Sequence, residues 1–132
     1  MDAFDADVLI YAAVPDHPLG TPVRALLQRD ENHIGSVLLV PEILTKPLRD
    51  GAPSELDELS AILGRLTLLT CDRATAQLAA ALGASYGLRA ADSIHLATAV
   101  QAGADRFITN NRRHFRATIA EVDVVYPDQL SA

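Results

Sequence analysis

Residues 90–111 read AADSIHLATAVQAGADRFITNN, and this stretch decides the fold. Its first half predicts a helix that carries one carboxylate, Asp92, and ends at Gly103. A short apolar strand follows at 106–109 and runs into a polar corner at 109–111. A helix, a glycine and a strand that ends in polar residues form half of an α/β unit, and ligands bind beyond the carboxyl ends of strands in such sheets. We therefore expect the functional site of the protein to lie at this polar corner.

Asp92 is the residue of this stretch whose role most needs an explanation. It shares a helix face with His95, Leu96 and Ala99, which follow at i+3, i+4 and i+7. An ionised carboxylate on a packed face needs a cap, an ion pair or a bound cation. Two interpretations stay open, because Asp92 can complement the helix dipole in the first turn or serve as a functional group.

The rest of the chain alternates strands and helices in the same way. Apolar runs and periodic apolar positions predict strands at 3–5, 33–36, 66–70 and 122–126, and helices at 7–13, 21–30, 37–51, 54–64 and 72–86. Pro41 and Pro47 predict a kink or a late start in the helix at 37–51. N-caps are predicted at Asp7, Thr21 and Asp72, and a capping-box-like pair at Ser54 and Asp57. This alternation predicts a parallel sheet between layers of helices.

Composition narrows the class of protein. The 132 residues carry a net charge of −6 and are 49% hydrophobic, which predicts one domain over residues 1–132. Cys71 is the single cysteine, the first residues hold acids where a signal peptide has bases, and no apolar run is long enough to span a bilayer. We expect a soluble cytoplasmic protein. The negative charge argues against holding nucleic acid by bulk electrostatics, but it is compatible with an enzyme that uses a metal and a few arginines.

Several of those arginines lie beside the polar corner. Arg106, Arg112, Arg113 and Arg116 fall close together, whereas Lys46 is the only lysine of the chain. Arginine binds phosphate in a bidentate manner more readily than lysine does. A solvated loop and a phosphate contact both explain this cluster.

Three lone acids in apolar surroundings point to a metal. Asp5, Glu42 and Asp92 come from three separate elements near the expected ligand-binding edge, and Asn111 follows the next strand. Carboxylate oxygens are the ligands that Mg²⁺ prefers. The four histidines are scattered, and no nucleophile elbow, Walker loop or GxGxxG loop is present in the sequence. Metal-assisted hydrolysis of a phosphate ester is the chemistry that remains.

The same residues resemble the PIN domain, a ribonuclease family. FDADVLIYA at 4–12 resembles its opening, VPEIL at 40–44 its second acid, ADSIHLATA at 91–99 its third acid, and FITNNRRHF at 107–115 its closing segment. The four segments occur in the family's order and cover nearly the whole chain. The resemblance implies a PIN-like three-layer α/β/α sandwich with a small, mainly parallel sheet.

The resemblance also implies an activity and partners. The family suggests a metal-dependent endoribonuclease, most often the VapC-like toxin of a type II toxin–antitoxin pair. Asp5, Glu42 and Asp92 would bind Mg²⁺ or Mn²⁺, with Asn111 as the fourth catalytic position, and His95 would be structural. Asp7, Thr109, Asn110 and Arg112 would be accessory residues. Such toxins are usually homodimers that a small antitoxin inhibits.

Two departures from the family pattern keep an alternative open. Asn111 stands where the family usually has a fourth acid, so it brings no charge and predicts weaker binding of a second metal. Asp7 stands where the family has Asn, Ser or Thr, and it could restore that charge from another direction. Because of Asn111, a catalytically impaired PIN-like module that binds RNA or protein is the alternative function. A small Mg²⁺-dependent phosphatase is a third, although the sequence lacks a phosphate-cradling loop.

Overall fold

The computed structural model describes residues 1–130 and has a five-stranded parallel sheet with helices on both faces. The strands are β1 (Asp2–Phe4), β2 (His33–Ser36), β3 (Thr67–Leu69), β4 (Arg106–Ile108) and β5 (Asp123–Val125). The helices are α1 (Ala6–Ala13), α2 (Gly20–Leu27), α3 (Leu39–Arg49), α4 (Pro53–Leu63), α5 (Arg73–Tyr86) and α6 (Ala90–Gln101). A short 3-10 turn at Pro127–Gln129 follows β5. The predicted sandwich with a parallel sheet is confirmed.

The strand order β3-β2-β1-β4-β5 puts β1 in the centre of the sheet. The chain builds outward from β1 through β2 to β3, and then crosses to the other side of β1 to add β4 and β5. The order therefore reverses between β1 and β4, where Ala3 pairs with Phe107 and Phe4 with Ile108. Ligands of open parallel sheets bind at such a switch point, beyond the carboxyl ends of the strands. Asp5 and Thr109 are the first residues beyond these two ends.

Alternation along the central strands divides the core into two apolar clusters. Phe4 and Ile108 pack with helices α1 to α4, whereas Ala3 and Phe107 pack with α5 and α6. Successive side chains of a strand point to opposite faces, so each central strand contributes to both layers. Helix α6 is buried along most of its length, from Ser93 to Ala99. An acid on this helix is therefore held close to the sheet.

The predicted helix starts were partly wrong. Asp5 caps α1 and Asp7 lies inside its first turn, although Asp7 was the predicted cap. Helix α2 begins one residue before Thr21. Ser54 lies inside α4, whose N-cap is Ala52, because Pro53 occupies the first helical position and already suits a helix start.

Other local predictions were confirmed. Asp72 caps α5 by accepting a hydrogen bond from Thr75 N at 2.8 Å, and Gly87 ends that helix in the left-handed conformation at φ 67°. Helix α3 starts late, at Leu39, and retains Pro47 in its interior. Among residues 1–130, no helix has both the length and the apolar character needed to cross a membrane.

Candidate functional site

Asp5 lies at the centre of the candidate site. It directly follows β1, its backbone N–H donates to Ile108 O of β4 at 3.0 Å, and its carboxylate accepts from Ala6 N at 2.8 Å. Thr109, fully buried beyond β4, donates its hydroxyl to the other carboxylate oxygen at 2.8 Å. Asp5 is only 6% exposed and takes part in no ion pair within residues 1–130. The switch point of the sheet thus holds a buried, rigidly oriented carboxylate.

The polar corner after β4 is tied to the first turn of α1. Asp7 accepts hydrogen bonds from Val8 N at 2.7 Å and from Asn110 N at 3.1 Å. Thr109 Oγ1 accepts a further bond from Asn111 N at 3.1 Å. The accessory residues Asp7, Thr109 and Asn110 therefore hold the two chain segments around Asp5 in a fixed relation.

Glu42 and His95 form a pair across the site. Glu42 lies in the first turn of α3 with a side chain that is 36% exposed, and His95 of α6 is 1% exposed. Their Oε1 and Nε2 atoms are hydrogen-bonded. The sequence left open whether Glu42 had a partner or bound a ligand, and the structure provides the partner. His95 had no predicted partner, because the pair joins residues of two distant helices.

Asp92 faces the segment that follows β4. Its Oδ2 lies 3.6 Å from His114 Nδ1, and Asn111 Nδ2 lies 3.0 Å from the same nitrogen. Asn111 Oδ1 accepts a bond from His114 N at 3.3 Å. His114 is a site residue that the sequence reasoning missed, and its only signal was its position three residues after Asn111 in the closing segment.

Electrostatics connect these groups. Burial raises the pKa of the Asp5 carboxyl, and the Asp92 charge adds to this, although the Thr109 hydroxyl and His95 act in the opposite direction. Burial alone would lower the pKa of His95, but the hydrogen bond and charge of Glu42, together with the charges of Asp5 and Asp92, raise it above its usual value. The charges of Asp5, Glu42 and Asp92 thus all raise the pKa of His95.

The donor chemistry of the site fits a hard divalent cation. All three acids supply oxygen ligands, and the buried charge of Asp5 lacks an ion-pair partner in the described chain. As the side chains stand, no three His, Cys, Asp or Glu residues within 1–130 converge closely enough to hold a metal. Glu42 and Asp92 instead face His95 and His114. Metal binding by Asp5, Glu42 and Asp92 therefore stays a prediction.

Arg112 is directed away from the three acids. Its guanidinium pairs with Asp128 at 2.6 Å and stacks 4.2 Å over the ring of Tyr126. This placement supports the segment after β5. Within residues 1–130, no contact of the Arg112 side chain favours the accessory role that the sequence suggested.

The pKa of Asp7 predicts a pH dependence of stability. Burial raises this pKa from 3.8 to about 7, and the Asp5 charge adds to the effect. When the pKa of a carboxyl is higher in the folded protein than in the unfolded chain, the free energy of unfolding falls as the pH rises from the unfolded-state pKa to the folded-state pKa. Relative to Asp7→Asn, we expect the wild-type free energy of unfolding to fall by about 2 kcal/mol between about pH 4 and about pH 8, after allowance for partial solvent exposure.

Urea unfolding in EDTA across this pH range measures the effect. Asp57→Asn removes an exposed carboxyl of α4 and should follow the wild-type profile. The Asn side chain cannot accept from both Val8 N and Asn110 N, so a pH-independent loss in Asp7→Asn is expected. Parallel pH profiles for wild type and Asp7→Asn would contradict the prediction.

Comparison with known proteins identifies the family. A parallel sheet between layers of helices is the fold that the sequence resemblance led us to expect. The model of the PIN domain matches residues 3–120, and the chain belongs to this family. No curated protein matches the chain.

Solved structures share the fold at low sequence identity. A toxin–antitoxin complex from Klebsiella pneumoniae has a TM-score of 0.77 and 23% identity, over 96% of this chain and 98% of that one. VapBC2 from Rickettsia felis, bound to a DNA fragment from its promoter, has a TM-score of 0.76 and 14% identity, over 95% and 97% of the two chains. FitAB bound to the IR36 DNA fragment has a TM-score of 0.69 and 22% identity, over 100% and 99%.

Proposed function

We propose that this PIN domain is a metal-dependent endoribonuclease that hydrolyses RNA phosphodiester bonds. The observation that carries the proposal is Asp5, a buried carboxylate without an ion-pair partner among residues 1–130, at the switch point of a parallel sheet. The electrostatic influence of Asp92 on Asp5 and of Glu42 on His95 supports a single site that spans three elements. Membership of the PIN family supports a nuclease over the small phosphatase that the sequence also allowed.

The residues of the site have distinct proposed roles. Asp5, Glu42 and Asp92 would hold Mg²⁺ or Mn²⁺, which supplies an activated water and stabilises charge on the phosphate. Thr109 orients Asp5 through its hydroxyl hydrogen bond. His95 holds Glu42 at the site through their hydrogen bond. Asn111 shapes the segment that carries His114.

We further propose that the protein is the toxin of a type II toxin–antitoxin pair. The solved structures that share its fold include a toxin–antitoxin complex and the VapBC2 and FitAB assemblies. The proposal includes a cognate antitoxin, a homodimer, a cytoplasmic location and a single domain over residues 1–132. A non-cutting PIN-like module is the second candidate, because Asn111 removes one acid that the family pattern leads us to expect.

Metal removal tests the nuclease directly. We expect purified protein to cleave a mixed structured-RNA pool with Mg²⁺ or Mn²⁺, and we expect EDTA to abolish this cleavage and added metal in excess of EDTA to restore it. The matched control is the same protein with Ca²⁺, which prefers a larger and more flexible ligand shell. Cleavage that persists in EDTA would contradict the metal-dependent mechanism. Folded, antitoxin-free protein that binds the pool without cutting it would favour the non-cutting module.

A further inference from the structure

The structure separates the four clustered arginines into two groups. Arg106 forms a bidentate pair with Asp2 at 2.9 and 2.8 Å, and Arg112 pairs with Asp128. Arg113 and Arg116 are exposed, and neither forms an ion pair with any residue in 1–130. In a chain of net charge −6, two neighbouring arginines without acidic partners form a local positive patch.

These two arginines line a cavity of about 470 Å³. One wall is the end of α5 at Ser85 and Tyr86, and the other is the segment 113–119. Apart from Ile119, the side chains of this cavity offer hydroxyl, imidazole or guanidinium groups. The two guanidinium groups of this polar cavity suit a negatively charged group, and the Tyr86 hydroxyl is already engaged by Glu121.

The segment that carries the arginines is held in place from both sides. Tyr86 donates its hydroxyl to Glu121 and accepts from Ala120 N at 3.3 Å. Tyr126 donates to Phe115 O at 2.7 Å, and the ring of Phe115 packs edge-on against Phe107 at 5.0 Å in the core. Arg113 and Arg116 flank this anchored phenylalanine. Their backbone positions are thus fixed before any ligand arrives, which lowers the entropic cost of binding.

The cavity adjoins the candidate active site. His114 lines the cavity, and its Nδ1 also lies 3.6 Å from Asp92 Oδ2. Asn111 Nδ2 lies within hydrogen-bond distance of the same His114 nitrogen. An RNA strand that lies across Asp5, Glu42 and Asp92 can therefore continue past His114 to Arg113 and Arg116. No comparable continuity links the acids to Arg106, which pairs with Asp2 at the opposite, amino-terminal end of the strands.

From this arrangement we infer that the cavity between the end of α5 and residues 113–119 binds a backbone phosphate of the RNA substrate, next to the phosphate that is cut. This inference rests on the proposed function. Arg113 and Arg116 contact the phosphate oxygens, since guanidinium groups match phosphate geometry. Such contacts set the register of the strand across Asp92 and carry no base specificity.

The test measures RNA binding in EDTA, so that cleavage cannot interfere. The probe is a fluorescent, random-sequence single-stranded RNA oligonucleotide, and its affinity is measured by anisotropy at several salt concentrations. The variant is Arg113→Gln/Arg116→Gln. The matched control is Arg29→Gln/Arg65→Gln, which removes two exposed charges that precede β2 and β3, at the other edge of the sheet. Thermal unfolding verifies that each protein is folded.

We expect the Kd of Arg113→Gln/Arg116→Gln to rise about tenfold, as for the loss of charge-assisted hydrogen bonds. The slope of log K against log salt should fall by about 0.7 for one phosphate contact on a single strand. The control pair should bind within about twofold of wild type, because distant charges are screened. Equal weakening by both pairs, or no weakening by Arg113→Gln/Arg116→Gln, would overturn the inference.

Two further results separate this site from its alternatives. A polyglutamate peptide is the second probe, and loss of its binding with unchanged RNA binding would reject the RNA site in favour of an acidic protein partner. Metal-dependent cleavage by wild type with unaltered RNA binding by the variant would preserve the nuclease and reject the subsite. RNA binding that depends on both arginines, without cleavage by wild type, would reject the nuclease and leave the cavity as a phosphate contact of a non-cutting RNA-binding module.

Discussion

Asp5→Asn is expected to lower metal-dependent RNA cleavage about a thousandfold, the rate equivalent of several kcal/mol of charge stabilisation by a bound metal. The substitution preserves the shape of the side chain. The amide oxygen of Asn can still accept from Ala6 N, and Thr109 can accept a bond in place of donating one. The charge at the switch point is lost, and the buried Thr109 hydroxyl proton loses its carboxylate acceptor. Cleavage of the RNA pool in Mg²⁺, measured as initial rates, quantifies the effect.

Asp72→Asn is a matched control for this change. Asp72 also caps a helix, but it follows β3 at the edge of the sheet, away from β1 and β4. Asn and Asp are about equally good N-caps, so this variant should keep its fold and its cleavage rate. Removal of a buried charge stabilises the fold and offsets part of the lost Thr109 hydrogen bond, so the melting temperature should change little. Cleavage by Asp5→Asn at the wild-type rate would contradict an essential negative charge at this position.

Gly20→Ala is expected to destabilise the protein by about 3 kcal/mol, the upper range for overpacking in a core. A Cβ on Gly20 would fall on the carbonyl of Tyr11 and within 2.9 Å of Ala12 N. Both obstacles are backbone atoms of α1, so a side-chain rotation cannot relieve the clash. Helices α1 and α2 would have to move apart, and α1 carries Asp5 at its amino end. Thermal unfolding should show a decrease in Tm of about 10 °C.

Gly64→Ala introduces the same methyl group where the structure has room for it. The nearest atoms to a Cβ on Gly64 lie at 3.4 and 3.5 Å, and the backbone has right-handed helical angles, φ −64° and ψ −14°. We expect this control to be neutral or slightly stabilising, since alanine restricts the unfolded chain. A Gly20→Ala protein as stable as Gly64→Ala would show that α1 and α2 separate easily. RNA cleavage by Gly20→Ala should decline with its folded fraction.

The sequence by itself determined the order of the elements and the edge of the sheet at which the acids lie. Alternating apolar runs predicted a parallel sheet, and the strand ends at Asp5 and at 109–111 predicted a polar, ligand-binding edge beyond the carboxyl ends of the strands. These predictions succeeded because apolar periodicity is a local property of the chain, and because helices that alternate with strands make the connected strands parallel. The cap at Asp72 was likewise predictable, because a cap bonds to a backbone group only three residues away.

Only the tertiary structure decided which charged groups meet. Glu42 pairs with His95, and Asp92 faces His114, although each pair joins separate elements. Burial in the folded protein raises the pKa of Asp7, and no local pattern indicates that burial. The sequence did not distinguish the clustered arginines from one another. In the folded protein, Arg112 pairs with Asp128, whereas Arg113 lines a cavity. Contacts of this kind depend on how helices pack across the sheet, which the periodicity of a single segment does not specify.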